Sequence, residues 1–80
     1  MDKDIYKDYL KDLIVILKEY ALEAKSKKDN SIDKKSGEFN SGYLMGFHRI
    51  FSLMQQQAEG FQIPFKELGL DDIDPNNDFI

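Results

Sequence analysis

Two side chains that can take part in hydrolysis, His48 and Ser52, lie one helical turn apart in the second half of the chain. A histidine can activate a serine hydroxyl, but the reaction also needs a group that orients the base and an oxyanion hole. Both residues fall on the polar side of a predicted helix, where backbone N–H groups already donate to helical hydrogen bonds. We therefore predict no catalytic residue and no enzymatic activity. At the edge of an interface, His48 would instead make association sensitive to pH.

A run of acidic and amide side chains near the C-terminus, DIDPNND, resembles the first half of a calcium-binding EF-hand loop. Aspartate or asparagine holds every second position from Asp72 to Asp78, but Asn77 occupies the position of the required glycine. The chain also lacks cysteine, has a single histidine and contains no Glu-x-x-His pair of the kind that binds iron in helical bundles. We predict no metal site and no cofactor, and we expect residues 70–80 to form an acidic tail.

The net charge of −4 is unevenly distributed along the chain. Residues 25–35 carry +3, from five lysines and two aspartates, whereas residues 66–80 carry −4. The lysines have no aromatic residues between them for base stacking, and Arg49 is the only arginine, so we expect no nucleic-acid binding. No basic and apolar leader follows Met1, and no apolar run has the roughly 18 residues that span a bilayer. We therefore expect a cytoplasmic protein that does not bind membranes.

The elements that would position these side chains are all helical. In residues 3–28 apolar or small residues recur at intervals of four and three, and the same pattern returns between Leu44 and Phe61. Either Ser36 or Ser41 could cap the second helix. We predict one domain, residues 1–80, built as an antiparallel helical hairpin with a short C-terminal helical turn and the acidic tail. The predicted segments are a helix over about 3–28, a loop over about 29–37, a helix over about 38–60 and a short helix over about 64–69.

Both long helices carry more apolar surface than one neighbour can cover. At 100° per residue, their apolar side chains fill about half of each helical wheel, whereas one neighbour requires a stripe of about 100°. A chain of 80 residues without disulfides has a marginal core, so we predict that two hairpins pair as a homodimeric four-helix bundle. A Gln57 buried in that interface would pair with a polar group, its own copy included. The predicted interface residues are Tyr43, Gly46, Phe47, Ile50, Phe51, Leu53, Met54, Gln57 and Phe61.

The composition and helical pattern resemble small, acidic, all-helical bacterial proteins, and no motif ties the chain to a named family. We predict a non-enzymatic interaction or regulatory module that self-associates. The alternative is an inhibitor similar to bacteriocin immunity proteins or antitoxins, which would bind a basic partner protein through acidic side chains. A third hypothesis is a carrier that holds a small ligand in the core of the bundle. The acidic-surface candidates for the inhibitor are Asp71, Asp72, Asp74 and Asp78.

Overall fold

The computed structural model describes residues 5–80, which form four helices and no strand. Two long helices, α1 (Ile5–Asp29) and α2 (Lys34–Gly60), pack against each other as a hairpin. Two single-turn helices follow, α3 (Phe65–Leu68) and α4 (Pro75–Asp78). The predicted all-α hairpin is confirmed, and the part of the prediction that concerned residues 3 and 4 lies outside the described residues.

Helix α1 forms because its sequence satisfies both local and tertiary requirements. No glycine or proline interrupts it, and Asp8 near its start and Lys27 and Lys28 near its end complement the helix dipole. Its buried side chains are Ile14, Ala21 and Ala24, which share one face. The two alanines lie in the half nearer the loop, where small side chains let the backbone of α2 approach closely.

The connection between the long helices is shorter than predicted. We expected a loop over about 29–37 and a cap at Ser36 or Ser41, but α2 already begins at Lys34 and Asp33 is its N-cap. The Asp33 carboxylate accepts a 2.7 Å hydrogen bond from the Ser36 backbone N–H, which satisfies one of the free donors of the first turn. That hydrogen bond is the main reason why the pKa of Asp33 lies below its ordinary value of 3.8.

The chain leaves α2 through a turn and then folds back over the hairpin. The short helix was expected to begin at Pro64, but Pro64 is the N-cap of α3, and Gly69 ends the helix in the left-handed conformation at φ 74°. Only glycine adopts that conformation without steric cost, which is why α3 ends at Gly69. The Leu70 N–H then donates to the Phe65 carbonyl at 2.9 Å, which closes the turn.

The segment that we expected to be an acidic tail is a packed part of the domain. Asp74 caps α4 through the Asn76 N–H, and Pro75, Leu70 and Phe79 are buried. The Phe79 ring lies 5.3 Å from the ring of Phe51 in the centre of α2. The C-terminal segment supplies the apolar side chains that close one side of the core. The buried core consists of Ile14, Ala21, Ala24, Leu44, Phe47, Phe51, Ala58, Leu68, Leu70 and Phe79.

Polar contacts fix the C-terminal segment to both long helices. On α1, the Lys18 ammonium donates to the Gly69 carbonyl and to an Asp72 carboxylate oxygen, both at 3.0 Å. On α2, the Gln55 amide donates to the Leu70 carbonyl at 3.2 Å and to the Ile73 carbonyl at 2.9 Å. Because both helices hold the same segment, residues 65–80 lie across one side of the hairpin.

Candidate functional site

The side of the hairpin that the C-terminal segment leaves uncovered is an exposed apolar surface, which we call the open face. On α1 it contains Tyr9, Leu13, Ile16 and Tyr20. On α2 and its C-cap it contains Phe39, Tyr43, Gly46, Ile50, Leu53, Gln57 and Phe61. The open face therefore runs along most of the length of both long helices.

Helical periodicity explains why the open face and the core are separate surfaces of the same helix. At 100° per residue, Tyr43 and Ile50 lie on one side of α2, and Leu44 and Phe51 lie about 100° away from them. Leu44 and Phe51 are fully buried, whereas Tyr43 and Ile50 are 50% and 43% exposed. The C-terminal segment and α1 cover one part of the apolar arc of α2 and leave the rest in contact with solvent.

Aromatic contacts connect the open face to the core. The ring of Tyr43 meets the ring of Phe47 edge to face, with centroids 5.3 Å apart and planes at 89°. On its other side Tyr43 stacks with Phe39, with centroids 6.4 Å apart. Since Phe47 is buried, these contacts restrain the position of Tyr43 on the surface.

A depression in the open face surrounds Gly46. It has a volume of about 270 Å³ and is lined by Gly42, Tyr43, Gly46, Phe47 and Ile50. A methyl group added at Gly46 would meet no atom within 4 Å, so no close packing inside this chain requires the glycine. Glycine in the interior of a helix costs about 1 kcal/mol relative to alanine. The depression is therefore a cavity whose floor Gly46 keeps free of a side chain.

A second apolar cavity, of about 300 Å³, lies where α1, α2 and the segment around α3 meet. Leu10 and Ile14 line it from α1, and Leu68 and Leu70 line it from the C-terminal segment. The side chains from α2 and the turn after it are Leu53, Met54, Gln57, Ala58, Phe61 and Ile63. The amide of Gln57 is the only polar side chain at this cavity within the described part of the chain.

The predicted interface residues divide into two groups. Phe47 and Phe51 belong to the core of the single chain, at 8% and 0% exposure, and Phe47 also lines the depression around Gly46. Met54 is partly buried and packs against the same core. The other six lie together on the open face. They are Tyr43, Gly46, Ile50, Leu53, Gln57 and Phe61.

The predicted interface residues all lie between Tyr43 and Phe61, so the prediction did not include the α1 half of the open face. Tyr9, Leu13, Ile16 and Tyr20 are exposed and recur at helical spacing on the side of α1 away from Lys18. The wide apolar arc of α1 was already visible in the sequence and was the signal that could have identified them.

The acidic-surface candidates serve mainly to hold the C-terminal segment. Asp72 pairs with Lys18, and Asp74 caps α4. An Asp78 carboxylate oxygen accepts from the Asp74 backbone N–H at 2.9 Å, and Asp71 is exposed. The alternation that resembled a calcium loop is thus used for helix capping. In residues 5–80, no three histidine or acidic side chains converge in a metal-binding arrangement.

The Ser-His pair of the sequence lies where α2 meets α4. The Nε2 atom of His48 lies 3.0 Å from the Asn76 side-chain oxygen, so the ring joins α2 to α4. Ser52 lies on the same polar side of α2 as His48, on a helix whose backbone donors are engaged in the helix itself. This contact places His48 at a structural junction of the domain.

Comparison of the chain with protein-family models, with characterised proteins and with solved structures found no significant match. None of the four helices in the described residues combines the length and apolar character needed to cross a lipid bilayer.

Proposed function

We propose that this protein is a non-enzymatic interaction module that self-associates through its open face to form a homodimeric four-helix bundle. The observation that carries the proposal is the continuous exposed apolar surface along both α1 and α2. Monomeric proteins rarely expose contiguous apolar patches larger than a few hundred Å². A second hairpin would cover this surface with side chains of the same kind.

The total surface of the chain supports the pairing of two copies. The chain exposes 6110 Å², whereas folded monomers of 9.3 kDa expose about 5,000 Å². The excess of about 1,100 Å² is more than the roughly 800 Å² that each partner buries in a standard protein–protein interface. Covering the open face with a second copy would reduce this excess.

The shape of the chain supports the same arrangement. Its principal extents are 51 × 24 × 16 Å, and its radius of gyration is 14.5 Å, compared with about 11.6 Å for a compact domain of 80 residues. The hairpin is therefore elongated along the two long helices. A second hairpin stacked on the open face would add width without adding length, so the dimer would be less elongated than one chain.

Adjacent residues on α1 provide a matched test of the proposal. Ile16 lies on the open face and is 39% exposed, whereas Val15 points about 100° away and is 47% exposed. Ile16→Glu would bury a carboxylate in the interface of both copies and is expected to weaken dimerisation by a factor of roughly 100 or more. Val15→Glu should leave it unchanged. Sedimentation equilibrium and light scattering over a range of concentrations would measure both.

A wild-type chain that is folded and monomeric at all accessible concentrations would overturn the proposal. Equal effects of Ile16→Glu and Val15→Glu on the dimer would also overturn it, because the open face would then not be the interface. Circular dichroism of each variant would confirm that the helices are intact.

A second candidate function, the carrier of a small apolar ligand, is favoured by the cavity near α3. Its volume of about 300 Å³ is at the lower end of the range for ligand pockets, and its lining is almost entirely apolar. Leu10→Trp would fill the cavity and should abolish binding of a fluorescent apolar probe, with Leu22→Trp on the outer surface as the control. The absence of probe binding by the wild-type chain would contradict the carrier hypothesis.

A further inference from the structure

We infer that the second copy docks with the two-fold axis parallel to the long helices, so that α1 of each copy lies on α2 of the other. This inference rests on the proposed self-association and adds the orientation of the partner. Two hairpins stacked through their open faces can be related by an axis parallel to the helices or by one perpendicular to them. An axis parallel to the helices places α1 on α2 of the second copy. An axis perpendicular to them places α1 on α1 of the second copy, and α2 on α2.

The register of the hairpin determines which residues would meet. The Asn40 amide donates to the Lys27 carbonyl at 3.3 Å, so these residues lie level across the hairpin. Farther along the helices, Ile14 and Leu53 line the same cavity. Continuing this antiparallel register places Glu19 of α1 level with Arg49 of α2. A two-fold axis parallel to the helices keeps these levels unchanged between the copies.

The outer margins of the open face carry opposite charges on the two helices. On α1, the margin next to Ile16 holds Asp12, Glu19 and Glu23. On α2, the corresponding margin holds Lys35, Glu38 and Arg49, so its net charge is positive. Glu19 and Arg49 are both exposed, and neither takes part in an ion pair within residues 5–80. These two side chains are available to a partner molecule.

Charge complementarity selects between the two arrangements. With the axis parallel to the helices, Glu19 of each copy lies level with Arg49 of the second copy, which forms the same ion pair at both margins. With the axis perpendicular to the helices, the margin of carboxylates on α1 faces an identical margin. Like charges placed opposite each other oppose association, so the parallel axis is favoured.

The depression around Gly46 supports the same orientation. Tyr20 lies level with Gly46 and Phe47 in the hairpin and is 53% exposed. The residues around the depression include Tyr43, Gly46, Phe47 and Ile50, which have the spacing of a four-residue hole on a helix. In the parallel-axis arrangement, Tyr20 of the second copy meets this hole. The missing side chain at Gly46 gives its ring room to enter.

Charge reversal tests the orientation, because the two arrangements predict changes of opposite sign. In the parallel-axis dimer, Glu19→Arg and Arg49→Glu each place like charges together twice and should weaken dimerisation about tenfold. The double variant restores opposite charges and should dimerise within about threefold of wild type. In the perpendicular-axis dimer, Glu19→Arg would instead relieve carboxylate repulsion and strengthen association. Sedimentation equilibrium at low and high salt would measure the three variants.

A disulfide test gives a second measurement that does not depend on charge. The chain has no cysteine, so Tyr20→Cys and Gly46→Cys can be introduced in separate chains and mixed. The parallel-axis dimer brings these positions together, and oxidation should give a covalent heterodimer that neither variant forms alone. A wild-type chain that does not dimerise overturns the proposed function. A wild-type dimer without heterodimer cross-linking, or one strengthened by Glu19→Arg, overturns the orientation alone.

Discussion

Truncation of Phe79 tests whether the C-terminal segment is part of the folded core. The side chain is 2% exposed, and its ring lies 5.3 Å from that of Phe51, which is completely buried. Phe79→Ala removes this aromatic contact and opens the side of the core that residues 65–80 cover. We expect both a loss of stability and a new exposed apolar surface around Phe51.

The expected magnitude follows from the burial of the side chain. Truncation of a fully buried phenylalanine to alanine costs about 3–5 kcal/mol. We expect a value near the lower limit, about 3 kcal/mol, because the end of the segment can relax into the space that the ring leaves. A domain of 80 residues has a total stability of roughly 4–12 kcal/mol, so this single change would remove a large fraction of it.

Urea unfolding followed by far-UV circular dichroism would measure the loss. With a slope of about 1 kcal/mol per molar urea, the expected midpoint shift is about 3 M. Because dimerisation adds to apparent stability, the comparison should be made in the Ile16→Glu background as well as in wild type. The matched control is Ile80→Ala, since Ile80 is the next residue and is 50% exposed.

A difference of less than about 1 kcal/mol between Phe79→Ala and Ile80→Ala would contradict a core role for Phe79, because surface substitutions usually change stability by no more than about 0.5 kcal/mol each. Residues 70–80 would then behave as the acidic tail that the composition predicts. The exposed apolar surface would in that case include both sides of the hairpin.

Three further substitutions test individual contacts. Gly46→Ala should stabilise the monomer by up to about 1 kcal/mol and weaken the dimer. The control, Gly37→Ala, lies off the open face and should not affect dimerisation. Stronger dimerisation of Gly46→Ala would contradict the proposed hole. Asp33→Asn should lower the melting temperature above pH 3.8. The difference in melting temperature from wild type should disappear as the pH falls through the lowered pKa of Asp33, because protonation removes the contribution of the carboxylate. A difference that does not depend on pH would contradict this. Lys18→Met should lower the free energy of unfolding in urea by about 1.5–3 kcal/mol, because it removes the contacts with Gly69 and Asp72. The control, Lys11→Met, should change it little. Equal effects would show that these contacts do not hold the C-terminal segment.

Local signals were sufficient for some elements and ambiguous for others. The stop at Gly69 was predictable because its left-handed conformation is a property of glycine itself. The start of α2 was not, since Asp33, Ser36 and Ser41 are all competent caps. The structure selects Asp33, which lengthens the helix toward the loop, and Asn40 then bonds to Ser31 at 2.9 Å and reaches back to α1.

The candidate surface shows the same division. The wide apolar arcs predicted that α1 and α2 each need more than one neighbour, but a helical wheel treats every residue in an arc alike. Phe51 and Ile50 are adjacent in the chain and both belong to the arc, yet only Phe51 is covered by the C-terminal segment. In the proposed orientation Gln57 lies level with Tyr9 of the second copy. The sequence had also allowed Gln57 to pair with Gln57 of the second copy.

The sequence by itself determined the helical class, the hairpin and the excess of apolar surface, because periodicity and helix-ending residues act within a few positions of each other. The tertiary structure decided which part of that surface is core and which part is open. That choice depends on where residues 65–80 fold back, and contacts such as Phe79 with Phe51 and Lys18 with Asp72 join residues far apart in the chain. No local pattern contains those distances, so only the folded chain separates the core from the open face.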